Sequence, residues 1–293
     1  MRFALGCVAG AALLLAGCAH ERPRPTAPGA PPAAGGADDT TLPQSSRYRL
    51  DRDGGPGAPP VDVSKLPEPA PRIEPRSRYG NKSPYTVLGR TYYVLPSAKG
   101  YVERGIASWY GNKFHGYMTS NFEPYDMYQF TAAHKTLPLP SYARVTNLAN
   151  GKSVVVRVND RGPFAENRLI DLSYAAAVRI GIWPKGTGVV EVRAIDPAAP
   201  AELPPPPAVT AAGGAPRLYL QAGSFADPAN AARLAARLRA LGVGPVGVSE
   251  VGVNGRRVTR VRIGPLPDVD AVDRISERLG REGIPHVRAT VDD

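Results

Sequence analysis

Cysteine is almost missing. The 293 residues hold two, Cys7 and Cys18, so nothing from residue 19 onward can form a disulfide or a thiolate metal site. Histidine is nearly as scarce: His20, His115, His134 and His286 are scattered, with no H-x-x-x-H pair, which argues against structural zinc. No metal and no cofactor are expected. Long apolar runs are lacking too, since residues 3–16 follow a basic Met1-Arg2 start but fall short of a comfortable bilayer span. From residue 20 to about 78, large aliphatic side chains give way to Pro, Ala, Gly and Arg. Such a composition cannot bury enough surface to offset the entropy of ordering, so the stretch is expected to be a long disordered tether.

The apolar start reads as a signal peptide and closes on Leu15-Ala16-Gly17-Cys18, which resembles a bacterial lipobox. An ordinary signal peptide with a chance cysteine is the plainer alternative; the four-residue match, its position and the Pro-rich continuation favour the lipobox. Residues 1–17 would then leave, and Cys18 would carry lipid at the head of an 18–78 tether. One acyl chain holds weakly, so the further chains of lipoprotein processing are expected as well. Ala19 after the cysteine points, in a Gram-negative cell, to the inner leaflet of the outer membrane, facing the periplasm. The net charge of +10 raises nucleic acid as a partner. An exported chain, however, meets anionic envelope polymers first, and no nucleic-acid partner is expected.

Pro204-Pro205-Pro206-Pro207 and Gly213-Gly214 mark a linker over residues 197–216. Before it, residues 79–196 hold β-branched runs such as Val154-Val155-Val156-Arg157-Val158 and Val189-Val190-Glu191-Val192, with Asn150-Gly151 as a hairpin turn. One short helix is expected at residues 173–180, capped by Ser173 and stopped by Gly181. This pattern predicts a mainly β domain closed into a small barrel. After the linker, residues 217–293 predict the order βαββαβ. A strand at Leu218-Tyr219-Leu220-Gln221 leads to a helix opened by Asp227-Pro228, a hairpin around Asn254-Gly255, a helix carrying Val272, Ile275 and Leu279, and a last strand at 284–289. Such an α+β order implies an antiparallel sheet with both helices on one face.

The densest polar cluster runs through Ala107-Ser108-Trp109-Tyr110-Gly111, Thr119-Ser120-Asn121-Phe122-Glu123-Pro124-Tyr125-Asp126, Thr131-Ala132-Ala133-His134-Lys135 and Val158-Asn159-Asp160-Arg161-Gly162-Pro163. Over residues 83–196 these stretches resemble the rare lipoprotein A family of septal peptidoglycan lytic transglycosylases, which have a six-stranded double-psi β-barrel. Gln221-Ala222-Gly223-Ser224-Phe225 and Val261-Arg262-Ile263-Gly264-Pro265-Leu266 resemble a sporulation-related repeat, or SPOR, domain.

The resemblance implies cleavage of the β-1,4 bond between N-acetylmuramic acid and N-acetylglucosamine, leaving a 1,6-anhydro end. Because the sugar's own C6 hydroxyl attacks, one carboxyl suffices, giving a proton to the leaving oxygen and then accepting the hydroxyl's proton. Glu123 stands at the family's general-acid position and Asp160 at its second carboxylate. The acid needs a raised pKa, which Phe122 and Pro124 are expected to favour. By residue type alone, Glu123 is a loop carboxylate, and Asn159-Asp160-Arg161-Gly162 is equally good turn chemistry. Phe122 departs from the Gly usual there, and Gly accepts backbone conformations that strain Phe.

His134 is a third candidate, for a hydrogen bond to carboxylate or substrate. Tyr110 and Tyr125 are candidates for stacking on sugars in a groove, although aromatic residues also fill cores. Asp126 and Asp171 are expected to organise backbone, while Arg157 and Arg161 suit either ion pairs or substrate. The SPOR resemblance implies binding of glycan strands without stem peptides, with Gln221 and Ser224 facing ligand or making turn contacts. A non-catalytic peptidoglycan-binding or structural lipoprotein on the same folds is the alternative.

Overall fold

The computed structural model describes residues 50, 52–56, 62–199, 216–253 and 255–292. The signal peptide, Cys18, the first part of the tether and most of the 197–216 linker lie outside the described residues.

The β-rich stretch forms β1 (Tyr85–Val87), β2 (Arg90–Tyr92), β3 (Val102–Tyr110), β4 (Thr131–His134), β5 (Ser141–Asn147), β6 (Ser153–Asp160), β7 (Ile170–Ser173), α1 (Tyr174–Arg179) and β8 (Gly188–Ile195). β1 and β2 make a separate hairpin, and the other six strands close into a barrel in the order β3-β7-β4-β6-β5-β8. Two of its ladders, β3 with β7 and β4 with β6, are parallel, so the closure is not a simple meander. Alternation along the strands aims Val154, Val156 and Val158 of β6 inward against Val190, Val192, Ile170 and Leu172. The Asn150-Gly151 turn joins β5 to β6, with Gly151 at φ 72°. Ser173 caps α1 by accepting from the Ala176 amide, as the sequence predicts.

The second fold comprises β9 (Arg217–Phe225), α2 (Pro228–Ala240), β10 (Val246–Val253), β11 (Arg256–Leu266), α3 (Val269–Arg281) and β12 (Arg288–Asp292). Its sheet is antiparallel in the order β10-β11-β9-β12. Ala231, Ala235 and Leu238 of α2 and Val272 and Leu279 of α3 share one core with Leu218, Leu220, Val261 and Ile263, so both helices cover the same face. The last strand begins later than expected. Ile284 still closes the preceding helix through its bond to the Leu279 carbonyl, and His286 at φ 68° interrupts any extended path before Arg288.

The two folds touch. Ile106 of β3 joins the second core. Arg168 pairs with Asp273 through both terminal nitrogens at 2.9 and 2.5 Å, and Asn167 bonds both Ser276 and the Ala289 amide.

One boundary needs correction. Residues 52–56 and 62–78, which composition assigns to the disordered tether, run along the barrel as a strap. Asp53 accepts from the Gly111 and Lys113 amides, and the Gly54 carbonyl lies so close to Gly111 that a Cβ there would sit 2.1 Å from it. Val63 is buried in a single 3-10 turn, Val63–Lys65. The Arg179 guanidinium donates to the carbonyls of Val63 and Leu66, and Glu68 accepts from the Val155 amide. Averaging composition over the whole tether hid these few anchors.

Candidate active site

The loop between β3 and β4 folds back on itself before it reaches Glu123. Met118 and Pro124 form an isolated bridge, the Thr119 amide donates to the Glu123 carbonyl at 2.8 Å, and the Phe122 amide donates to the Thr119 carbonyl at 2.9 Å. This tight return puts Phe122 at φ 65°, the left-handed region that suits glycine and strains a bulky side chain. The Phe122 ring is half exposed and lies 4.3 Å from that of Tyr79. Phe122→Gly should therefore melt higher than Phe122→Ala by the equivalent of about 1 kcal/mol, because both lose the ring contact but only glycine relieves the backbone. Paired thermal melts check this.

Glu123 itself projects onto the wall of a cleft of about 410 Å³. The strap residues Leu66, Pro67, Glu68 and Pro69 line it together with barrel-domain residues that include Pro124, Tyr128, Phe130 and Asn159. Its side chain is 41 % exposed, so it faces the cleft without being lost in bulk water. Arg157 of β6 grips the carboxylate with Nη1 and Nη2, at 2.5 and 2.9 Å, and Asn159 Nδ2 donates to it at 3.1 Å. Arg157 also holds Glu74 of the strap through Nε and Nη2, at 3.0 and 2.8 Å, and Tyr142 donates to Glu74 from β5.

Burial favours the proton on Glu123, but the bonds from Arg157 and Asn159 outweigh it and hold the carboxyl below its ordinary value. The sequence expectation of a raised value is thus reversed in the free protein. The apolar neighbours Phe122 and Pro124 cannot compete with a guanidinium in contact.

Asp160 lies at the end of β6, outside the residues that line this cleft. One of its oxygens accepts from the Ser120 amide at 2.8 Å, the Ser120 hydroxyl at 2.6 Å and the Arg161 amide at 2.7 Å. Burial pushes its carboxyl up against those bonds. The contacts make Asp160 the anchor of the loop that carries Glu123.

Three expected site residues sit elsewhere than supposed. His134 is buried with both ring nitrogens engaged: Nδ1 accepts from the Thr136 and Leu137 amides, which leaves Nε2 to donate to the Tyr101 hydroxyl at 3.0 Å. Burial, with Arg161 and Lys135 nearby, drops its pKa to about 3. It borders a separate cavity of about 480 Å³ between barrel and second fold, away from the Glu123 cleft. Tyr110 and Tyr125 do not line a groove. They are buried and stacked on each other, 4.1 Å apart, with the Tyr125 hydroxyl donating to the Tyr110 carbonyl. Amphipathic aromatics beside a polar cluster read as sugar platforms, yet here they join Met127, Ala133 and Tyr174 in a small core.

Gln221 and Ser224 stand on β9 opposite Arg262 and Arg260 of β11. That register places all four on the sheet face away from the helices. Arg161 donates to the carbonyls of Gly80, His134 and Leu137, a structural role, whereas Arg157 is the ion-pair partner of Glu123. Asp126 accepts from the Tyr128 amide and Asp171 from the Ser108 hydroxyl. Among the described residues, no three His, Cys, Asp or Glu side chains gather closely enough to hold a metal ion.

Residues 102–194 match the family model described as lytic transglycolase, and residues 214–288 match the SPOR domain. An endolytic peptidoglycan transglycosylase RlpA of Pseudomonas aeruginosa is 41 % identical, over 92 % of this chain and 90 % of that protein. The chain belongs to the RlpA family. The RlpA of Vibrio cholerae is 54 % identical over 51 % of this chain and 56 % of its own length. The crystal structure of an RlpA SPOR domain from Pseudomonas aeruginosa is 34 % identical over 26 % of this chain and 97 % of that chain, with a TM-score of 0.24. The resemblance seen in the sequence motifs is borne out, as are the double-psi barrel and the SPOR domain.

In this RlpA-family chain, the residues that sequence reasoning missed are Glu74, Glu68 and Asn159. The first two hid in a stretch whose composition reads as tether; the only signal was a pair of acids following Val63 and Leu66 within it. Asn159 sat in plain view as turn chemistry.

Glu74 also makes folding pH-dependent. The bond from Arg157, opposed by burial and helped by Tyr142, holds its carboxyl down to about 2, from 4.5. A depressed carboxylate stabilises the fold above its unfolded value and loses that contribution as pH falls toward the folded one. Wild type should therefore lose up to about 3 kcal/mol, relative to Glu74→Gln, between about pH 5 and pH 2. Urea midpoints of the two proteins across that window measure the difference.

Proposed function

We propose that this chain is an endolytic lytic transglycosylase that cuts the β-1,4 bond between N-acetylmuramic acid and N-acetylglucosamine, with Glu123 as its acid and base. The observation that carries the assignment is the position of Glu123: a partly exposed carboxyl on the wall of a saccharide-sized cleft, oriented by Arg157 and Asn159. A glycan filling the cleft displaces water from the carboxyl and favours its protonated form.

Protonated Glu123 gives its proton to the glycosidic oxygen as the bond from C1 to that oxygen breaks. The C6 hydroxyl oxygen of the same muramic acid then bonds to C1, and its proton returns to the Glu123 carboxylate. No water is consumed and the enzyme ends as it began. Asp160 serves this step indirectly, by fixing the Ser120 end of the loop.

The SPOR domain, in this proposal, binds peptide-free glycan through the face bearing Gln221 and Ser224 and concentrates the enzyme at division septa. A lipid on Cys18 tethers it to the inner leaflet of the outer membrane. Incubating the full chain with peptide-free glycan strands and resolving products by mass spectrometry tests the proposal. Anhydro-muramyl ends are expected; binding without any product would instead make the chain a peptidoglycan-binding lipoprotein.

A further inference from the structure

Arg157 serves two carboxylates at once, and only one of them faces the cleft. Glu123 comes from the β3–β4 loop, and Glu74 comes from the strap, a segment outside the barrel strands. Nη2 is shared between them, at 2.8 Å from Glu74 and 2.9 Å from Glu123. A guanidinium paired with Glu123 alone would place a full positive charge against the group that must become neutral to act as an acid. A second carboxylate on the same guanidinium cancels much of that charge.

We propose that Glu74 is a positioning residue for the transglycosylase reaction: by occupying Arg157 from the strap, it weakens the guanidinium's hold on Glu123 and lets Glu123 take up the proton it donates. The inference rests on Glu123 being the acid. The surroundings of the pair are consistent with it. From β6, Arg157 and Asn159 face Glu123, and from its own loop Asn121 does. Glu68 and Asp126 add negative charge at the cleft walls, with Glu68 3.5 Å from Arg179 of α1. On the far side, Arg72 and Tyr142 are the groups that face Glu74. Arg157 is therefore the one cation in contact with Glu123 among the described residues, and Glu74 is the carboxylate that competes for it.

The strap thus does more than line the cleft. It completes the electrostatics of a catalytic group carried by the barrel, and the barrel without residues 62–78 would hold Glu123 with an unshared arginine.

The test compares the full chain with its Glu74→Gln and Glu74→Asp variants, following kcat for release of anhydro-muramyl ends at saturating glycan against pH, which reads Glu123 in the filled cleft. In Glu74→Gln the alkaline limb, where Glu123 loses its proton, should move lower by about one unit, so that activity above the limb falls roughly tenfold while the acidic plateau is kept. Glu74→Asp retains the charge and should recover most of the shift. A limb that stays in place in a folded Glu74→Gln protein, or a loss uniform across pH, overturns the proposal.

Carbon-13 titration of the Glu123 carboxyl, identified by its disappearance in Glu123→Gln, gives a second readout independent of turnover. An unmoved midpoint in Glu74→Gln overturns the coupling whatever the activity. A lowered midpoint supports it, and if Glu123→Gln still releases anhydro ends, the same result upholds the coupling while removing Glu123 from the acid's role.

Discussion

Glu123→Gln should release anhydro-muramyl ends at a rate lower by roughly 10²- to 10⁴-fold, the range that a positioned acid-base group contributes. The amide keeps the length of the side chain and its one oxygen can still accept from Arg157, but it has no acidic proton to give to a departing oxygen. Stability should change little. Arg157 keeps Glu74 as a partner, so the substitution leaves no unpaired cation at the cleft wall. Melting temperature and product release, measured on the same preparation, separate the two effects. Retention of more than a tenth of the rate would remove Glu123 from the mechanism.

The largest effect on folding is expected at Tyr125. Its ring is buried against Tyr110, and its hydroxyl bonds the Tyr110 carbonyl at 2.6 Å, inside a cluster that continues through Tyr174, with Tyr174 edge-on to Trp109 and Trp183. Tyr125→Ala should cost about 3–5 kcal/mol, as truncation of a large buried ring does. Tyr125→Phe keeps the ring and loses only the hydroxyl's bond, about 1 kcal/mol. Urea unfolding distinguishes this from a sugar-stacking role, in which the alanine variant would fold normally and show a raised KM. A normal unfolding midpoint for Tyr125→Ala would show that the stack is not part of the core.

The barrel was legible because its strands are written in β-branched runs such as Val154-Val155-Val156, with turn residues where the chain must reverse. The SPOR elements were legible through caps: Asp227 before Pro228 and a left-handed Gly242 after α2 mark that helix without any tertiary information. Phe122 announced its strain by departing from the glycine that the family resemblance leads one to expect there. What could not be read was whether an aromatic side chain faces in or out at Tyr110 and Tyr125, because the small core they join is built from a long loop as well as from strands. Nor could the environment of Glu123 be read, since its proton affinity is set by Arg157, 34 positions away, and by a strap whose composition looks unfoldable. Sequence neighbours describe a carboxyl poorly when its partners arrive from other elements.

The edges of the barrel and of the SPOR sheet bear on how such a chain behaves when crowded. Six barrel strands close on themselves and leave no ladder unfinished. In the SPOR sheet, β12 at one border has its Ala289 amide taken by the barrel's Asn167, and β10 at the other contains Gly247 and Gly252 and carries Glu250. Glycine and charge make a strand a poor template for recruiting another, and a side chain already bonded to a border amide removes one of the groups such pairing would use. Neither the barrel nor the SPOR sheet therefore offers a neighbouring molecule an inviting border along which to fuse into aggregates.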